Sequence, residues 1–299
     1  FEISANLAAL QAYLKPWRTA CLLRFVLLVV QQRNEIMHII FPPVKHFWQI
    51  NSKNPYMKVR PSVKILQSQG LGSRRECENI FWNSEIFRDG TQIDPEIDEI
   101  SLGDTLLIDG KSFEITQHKY VLMHKPAGYE TSHLPSHNPS VFDLLPKHYI
   151  KRGLQAAGRL DVDTTGLLLF SDDGQFIHRL ISGKVGTKQE VEKIYEVTGA
   201  RLFTELQLQR LLEGVDLDDE PEIIYASKAN LLGDGRLELG ITTGKYHQVK
   251  RMVAAVGNHV EALHRRVVGP YELPTDLAVG SYIEVDPSPV LNRNTSKTV

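Results

Sequence analysis

The stretch AAGRLDVDTTGLLLFSDDG, Ala156 to Gly174, sets Arg159, Asp161 and Asp163 directly ahead of Leu167–Phe170. That continuous apolar run is typical of a strand buried on both faces. A carboxylate on a tight loop backed by such a strand is a sensible nucleophile or base, because rigid structure fixes its direction. Gly158 allows close backbone approach or an unusual dihedral angle. Arg159 is a donor for phosphate or carboxylate. On residue type alone a turn is the commoner fate, since Asp side chains bond their own backbone. Asp172 and Asp173 read as turn residues, and Asp163 as a turn or supporting acid.

Two further side chains are candidates. In Lys245–Val256, the residues Val249, Met252, Val253 and Val256 recur at helical spacing, so one face is buried, and Gly257 and Asn258 stop the helix. Lys250 lies at the edge of that stripe, where it can point into a groove; the bland alternative is a surface lysine. Tyr195 sits on a strand, Lys193–Val197, with Lys193 and Val197 on its own side. A half-buried strand tyrosine is its ordinary reading. His247 reads as a core hydrogen-bonding residue rather than a catalyst.

The rest of the chain must position these groups. Hydrophobic residues make up 42% and charged residues 23% of 299 residues, ordinary for a globular chain of one large or two smaller domains. Cys21 and Cys77 supply neither a disulfide framework nor a metal cluster, which fits a cytoplasmic location. Net charge is −2, so any nucleic-acid surface must come from local segregation of charge. Such a segregated run extends from Arg236 to Arg266, although a solvated face is the usual explanation. The apolar stretch from Ala20 to Val30 is too short to span a bilayer, and no small-residue cleavage pattern follows it. Met57 opens a better-organised segment, so residues 1–56 read as an extension outside the native fold. Residues 287–299 read as a disordered tail.

From Met57 to Ile115 the pattern is compact. A short helix through Val63, Ile65 and Leu66 ends at Gly70 or Gly72, and Ser73–Glu76 forms a capping box. Arg74 and Arg75 then occupy the first turn of the next helix, where cations oppose the dipole; an RNA phosphate is one group that would want them. A strand at Ile86–Phe87 and turns at Asp89-Gly90 and Asp109-Gly110 complete the segment. Beyond a polar joint at Thr116–Lys119, the pattern predicts a strand at Tyr120–Met123, a loop-rich span over 129–153 and a helix over Gln175–Ser182. A helix capped by Thr204 and ending at Gly214 follows, then strands at Ile223–Leu232 and Arg236–Ile241.

Several of these segments resemble known families. Residues 57–115 are similar to an S4 RNA-binding domain. G-R-L-D-V-D-T-T-G-L resembles the catalytic motif of RNA pseudouridine synthases of the Rsu type. His124–Gly128, Lys193–Tyr195 and Gly244–Met252 match that family's other motifs in order. The resemblance implies an α+β fold: a small S4-like domain, then a catalytic domain over 120–286 with a mostly antiparallel central sheet and flanking helices. It places Asp161 as the catalytic aspartate, Tyr195 as the residue stacking on the target base and Lys250 as the basic partner of the aspartate. Arg159, Lys125, Arg251, Arg74 and Arg75 are the expected substrate-binding residues.

The implied reaction converts uridine to pseudouridine by breaking N1–C1′, turning the uracil and joining C5 to C1′. Nothing is oxidised or hydrolysed, so no metal and no cofactor is expected. The implied partner is small-subunit ribosomal RNA, free or in a pre-ribosomal particle, with the enzyme a monomer without membrane association. Two rivals remain at this point. Asp161-Val162-Asp163-Thr164-Thr165 fits the D-x-D-x-T of Mg²⁺-dependent haloacid-dehalogenase-type phosphatases, although their motif follows a hydrophobic strand. The other rival is a non-catalytic S4-type ribosome-binding protein.

Overall fold

The computed structural model describes residues 61–292 apart from 96, 182–190 and 219. The expected extension over 1–56, the start at Met57 and the tail beyond 292 lie outside the described residues. Among these residues no helix is long and apolar enough to cross a membrane.

The first elements are helices α1 (Pro61–Ser68) and α2 (Arg74–Asn83) and strands β1 (Ile86–Arg88), β2 (Thr91–Gln92), β3 (Thr105–Ile108) and β4 (Lys111–Glu114). The Ser73–Glu76 box forms as its spacing predicts: Ser73 Oγ accepts from the Glu76 amide, and Glu76 accepts from the Ser73 amide. Asp89 and Asp109 adopt positive φ ahead of Gly90 and Gly110, which gives two-residue hairpin turns. The strands form an antiparallel sheet in the order β2-β1-β3-β4. Leu66, Phe81, Ile100 and Leu106 share its core.

A nine-stranded sheet follows. Its strands are β5 (Tyr120–Lys125), β6 (Gln155–Ala156), β7 (Thr165–Ser171), β8 (Lys193–Gly199), β9 (Lys228–Gly233), β10 (Arg236–Ile241), β11 (Val260–Val268), β12 (Tyr271–Glu272) and β13 (Tyr282–Glu284). The order is β13-β5-β7-β11-β8-β10-β9, with β6 on β7 and β12 on β11. Only β7 and β11 pair in parallel; the other pairings are antiparallel. Side-chain alternation gives the sheet two buried faces. Leu168, Phe170, Tyr195, Val197 and Leu263 enter one core, and Leu122, Leu167, Leu169 and Val268 the other.

Helices α3 (Lys147–Arg152), α4 (Gly174–Ile181), α5 (Glu205–Glu213), α6 (Gln248–Ala255) and α7 (Ser288–Leu291) complete the fold. The loop-rich span 129–153 also holds a 3-10 turn at Val141–Leu144 and α3, because Phe142 and Tyr149 are drawn into the core. Three expectations need correction. The strand expected from Ile223 starts at Lys228; Ile224 makes only an isolated bridge to Val215. Residues 287–292 are ordered, with Val290 buried and the Val290 and Leu291 carbonyls accepting from Arg179. The helix expected from Lys245 starts at Gln248.

Arg152 seals the seam between the two sheets. Its side chain is almost fully buried. It pairs with Asp172 at 2.5 Å, donates to the Thr116 carbonyl at 2.8 Å and donates to the Gln69 side chain. Asp172, read from sequence as a turn residue, therefore holds the joint as well.

Candidate active site

The loop Leu160–Thr164 enters β7 and is strapped from behind by the segment that leaves β5. Gly128 donates its amide to the Val162 carbonyl at 2.7 Å, and Thr131 Oγ1 donates to the Leu160 carbonyl at 2.9 Å. Lys125 has no exposed surface. Its Nζ donates to the carbonyls of Thr164 (2.9 Å), Pro126 (3.0 Å), Asp161 (3.1 Å) and Val162 (3.4 Å). Burial pushes its ammonium down to about 8, against the pull of Asp163 and Asp161. This corrects the expectation of a substrate contact: Lys125 has no face to offer RNA, and it shapes the loop that carries Asp161.

Two glycines let the loop take this course. Gly158 has φ +84° with nothing nearby, so it supplies the dihedral rather than a close approach. Gly166 supplies the close approach, since a Cβ there would lie 2.3 Å from the Arg265 carbonyl oxygen on the parallel neighbour β11.

The second wall comes from the segment before α6. Gln248 is buried and accepts from the Lys245 amide and the Thr243 hydroxyl, both at 2.9 Å. This local bonding ties the loop 243–247 to the first turn of α6. His247 is left in the left-handed region at φ 46°, where a non-glycine residue is uncommon. Its ring stacks on Tyr246, and Nε2 lies 3.4 Å from Asp161 Oδ1. It is therefore a residue of the site, not the core hydrogen-bonding residue expected from sequence.

One turn into α6, Lys250 reaches across the cleft. Nζ lies 3.1 Å from Asp161 Oδ2 and 2.7 and 2.9 Å from the two oxygens of Asp163. Asp163 is thus a second ligand of the same ammonium. Burial opposes charge on Lys250, but the bonds from Asp163 and Asp161 outweigh it and raise its pKa. Burial likewise raises Asp163, and Lys250 reverses the sign to leave it lowered.

A cleft of about 200 Å³ opens beside this triad, lined by Asp161, Lys250, Tyr195, Arg159, Leu263 and Arg265, among others. Arg159 is exposed at its rim and has no hydrogen bond among the described residues. Arg251, expected to bind substrate, is engaged elsewhere: it donates to the Asp218 carbonyl and lies 3.5 Å from Glu220. Arg74 and Arg75 are exposed on α2; Arg74 pairs with Glu78 at 2.9 Å.

Sequence reasoning missed Arg265. It is 3% exposed in the middle of β11, with Gly166 and Tyr195 beside it on the neighbouring strands. Nε donates to the Leu167 carbonyl at 2.8 Å, and Nη1 to the Tyr195 hydroxyl at 3.5 Å. Nη2 is buried without a partner among the described residues. An orphaned buried donor of this kind costs roughly 1–3 kcal/mol. The signal was an arginine two residues after Leu263, on the inward face of a strand.

Residues 119–255 match the family model of RNA pseudouridylate synthases. A ribosomal small subunit pseudouridine synthase A from Vibrio parahaemolyticus is 35% identical over 212 residues, which covers 70% of this chain and 89% of the relative. The chain belongs to the pseudouridine synthase family. Its membership makes it an isomerase and sets aside the non-catalytic rival. The Escherichia coli (strain K12) protein of the same name is 40% identical over 164 residues, covering 55% and 69% of the two chains. A crystal structure of a pseudouridylate synthase superposes with a TM-score of 0.53 at 32% identity, covering 77% of this chain and 97% of the other. The phosphatase reading fails on placement as well: the buried strand β7 follows the D-x-D-x-T stretch instead of preceding it, and Lys250 engages both carboxylates.

Proposed function

We propose that this protein isomerises one uridine in the 5′ part of small-subunit ribosomal RNA to pseudouridine, with Asp161 as the reacting carboxylate. The observation that carries the proposal is the approach of Lys250 to Asp161, 3.1 Å across the cleft that Tyr195 lines. The uracil must leave the RNA stack to be reached, and Tyr195 offers an aromatic surface to receive it. Asp161 either attacks C1′ or takes the 2′ proton to leave a glycal; both routes need the same carboxylate at the same sugar. N1 parts from C1′, C5 takes its place, a proton leaves C5 and one arrives at N1, so no oxidant or cofactor is consumed. Apolar walls such as Leu160 and Leu263 limit water at the detached sugar.

The helical pair and four-stranded sheet of residues 61–115 serve as an S4-like RNA-binding module, with Arg74 and Arg75 on phosphate and Arg159 beside the flipped nucleotide. The Asp161→Asn variant tests the central claim. RNA binding should persist and single-turnover conversion of uridine in small-subunit rRNA should vanish; pseudouridine formed by the variant would sink the assignment. Mapping pseudouridines in rRNA from cells with and without the protein identifies the target.

A further inference from the structure

Resting on the reading above, we infer that Arg265 is the base-reading residue of the site: its free Nη2 donates to a carbonyl oxygen of the everted uracil. The guanidinium is fixed at two points before any substrate arrives, with Nε on the Leu167 carbonyl and Nη1 on the Tyr195 hydroxyl. Its carbon lies 6.0 Å from the centre of the Tyr195 ring. The remaining nitrogen is buried and unpartnered, and the residue lines the cleft beside Asp161. Thr164, on the same wall, has a buried hydroxyl that also lacks a partner among the described residues. Orphaned polar groups in a native site call for an explanation. A base whose edge alternates carbonyl, N–H and carbonyl matches a donor beside a hydroxyl.

The chemistry of the reaction strengthens the match. Joining C5 to C1′ requires the detached uracil to turn by half a revolution about its N3–C6 axis. That turn exchanges N1 with C5, and it also exchanges O2 with O4. A donor fixed to the protein at one carbonyl position therefore meets one oxygen before the turn and the other after it. Arg265 holds the base in both orientations without moving, and Tyr195, to which it is bonded, stays in place beneath.

The test uses the full protein and RNA carrying uridine, 2-thiouridine or 4-thiouridine at the target, since sulfur accepts a hydrogen bond weakly. Affinity and single-turnover conversion are both read. With the wild-type protein one sulfur position should weaken binding, and the other should slow a step after binding, each by roughly tenfold. Arg265→Gln should bind and convert all three RNAs alike, at the reduced level of the worse thio substrate. Equal behaviour of the three RNAs with wild-type protein overturns the inference, and so does a thio effect of the same size in Arg265→Gln. The wild-type arm decides the matter even where the variant does not fold. Failure of the two readings is distinguishable. A wild-type protein inert on uridine whose binding still senses sulfur removes the proposed reaction and keeps the contact. Conversion indifferent to sulfur does the reverse.

Discussion

The N-terminal module and the cleft handle charge in opposite ways. On α2, Arg74 and Arg75 are exposed; Arg74 has only an i,i+4 partner, Glu78, and Arg75 has no ion pair among the described residues. Exposed pairs of this kind contribute little, so these cations can exchange water or Glu78 for an RNA phosphate. Facing the cleft and behind its loop, Lys250 and Lys125 are held by distant chain. Lys250 meets Asp163 from 87 residues away, and Lys125 fastens the Asp161–Thr164 carbonyls from about 40 residues before them. One surface is adaptable and suits a long, variable backbone; the other is preorganised and suits a single reacting sugar.

The largest expected effect tests the preorganised side. Lys250→Met removes the ammonium shared by Asp161 and Asp163 and leaves two carboxylates facing each other across the loop. Conversion should fall by about 10²–10³-fold, the scale of losing one electrostatic partner in a closed site, with RNA affinity little changed. A variant that converts at the wild-type rate would make the cleft no more preorganised than α2. Lys125→Met tests the same side from behind, because Lys125 has no exposed surface. Four carbonyls each lose one donor, those of Asp161 and Val162 keeping only the Thr164 and Gly128 amides; the Asp161 loop shifts, and conversion should drop by around a hundredfold together with a lowered melting temperature. Full activity in this variant would show that the loop holds its shape without the buried ammonium.

Legibility follows the same divide. The module's elements were readable because their signals are local: the Ser73–Glu76 box and the Asp89-Gly90 and Asp109-Gly110 turns each act within a few residues. Asp161 and Lys250 were separable from turn and surface residues only through the family motifs, because nothing in local chemistry links residues so far apart. Lys125 was assigned to RNA through the family resemblance; only the crossing of β5 behind the loop buries it. The start of α6 moved because His247 takes a left-handed backbone that cannot continue a helix, which helical periodicity does not report. Arg265 was hidden in a basic run. Its meaning depends on β11 lying between β7 and β8, and chain order says nothing of that neighbourhood.

A smaller effect is expected on the adaptable side. Arg74→Ala with Arg75→Ala should weaken RNA binding several-fold at moderate salt and leave conversion at saturating RNA unchanged. Two lost phosphate contacts make the slope of log affinity against log salt shallower by roughly 1.5. An unchanged slope would take α2 out of the binding surface and leave the comparison with one term.

The smallest effect asks whether the two regions share one fate on acidification. His148, on α3, packs edge-on against Phe113 of the module, with ring centres 5.5 Å apart. Burial, then Lys119 and Arg152, lower its pKa from 6.5 against the pull of Glu284. His264, on β11, shares a hydrogen bond with Thr165 at 2.8 Å; burial and then His124 and Arg266 lower its pKa against Glu196. Each histidine takes its proton near pH 6.5 in the unfolded chain and only at lower pH in the folded one. Between those values the unfolded state binds more protons, so stability falls as pH falls below about 6.5 and levels off once the folded groups are protonated. Melting temperature from pH 7.5 to 5 should show that decline, and His148→Gln and His264→Gln should each flatten it. Amide exchange locates the loss. Faster exchange of α1 and the Gln69 joint alone at pH 5.5 assigns it to His148 and shows the module loosening while the cleft stays closed. Faster exchange of β7 and β11 assigns it to His264, and a melting temperature flat across the range removes both histidines from the account.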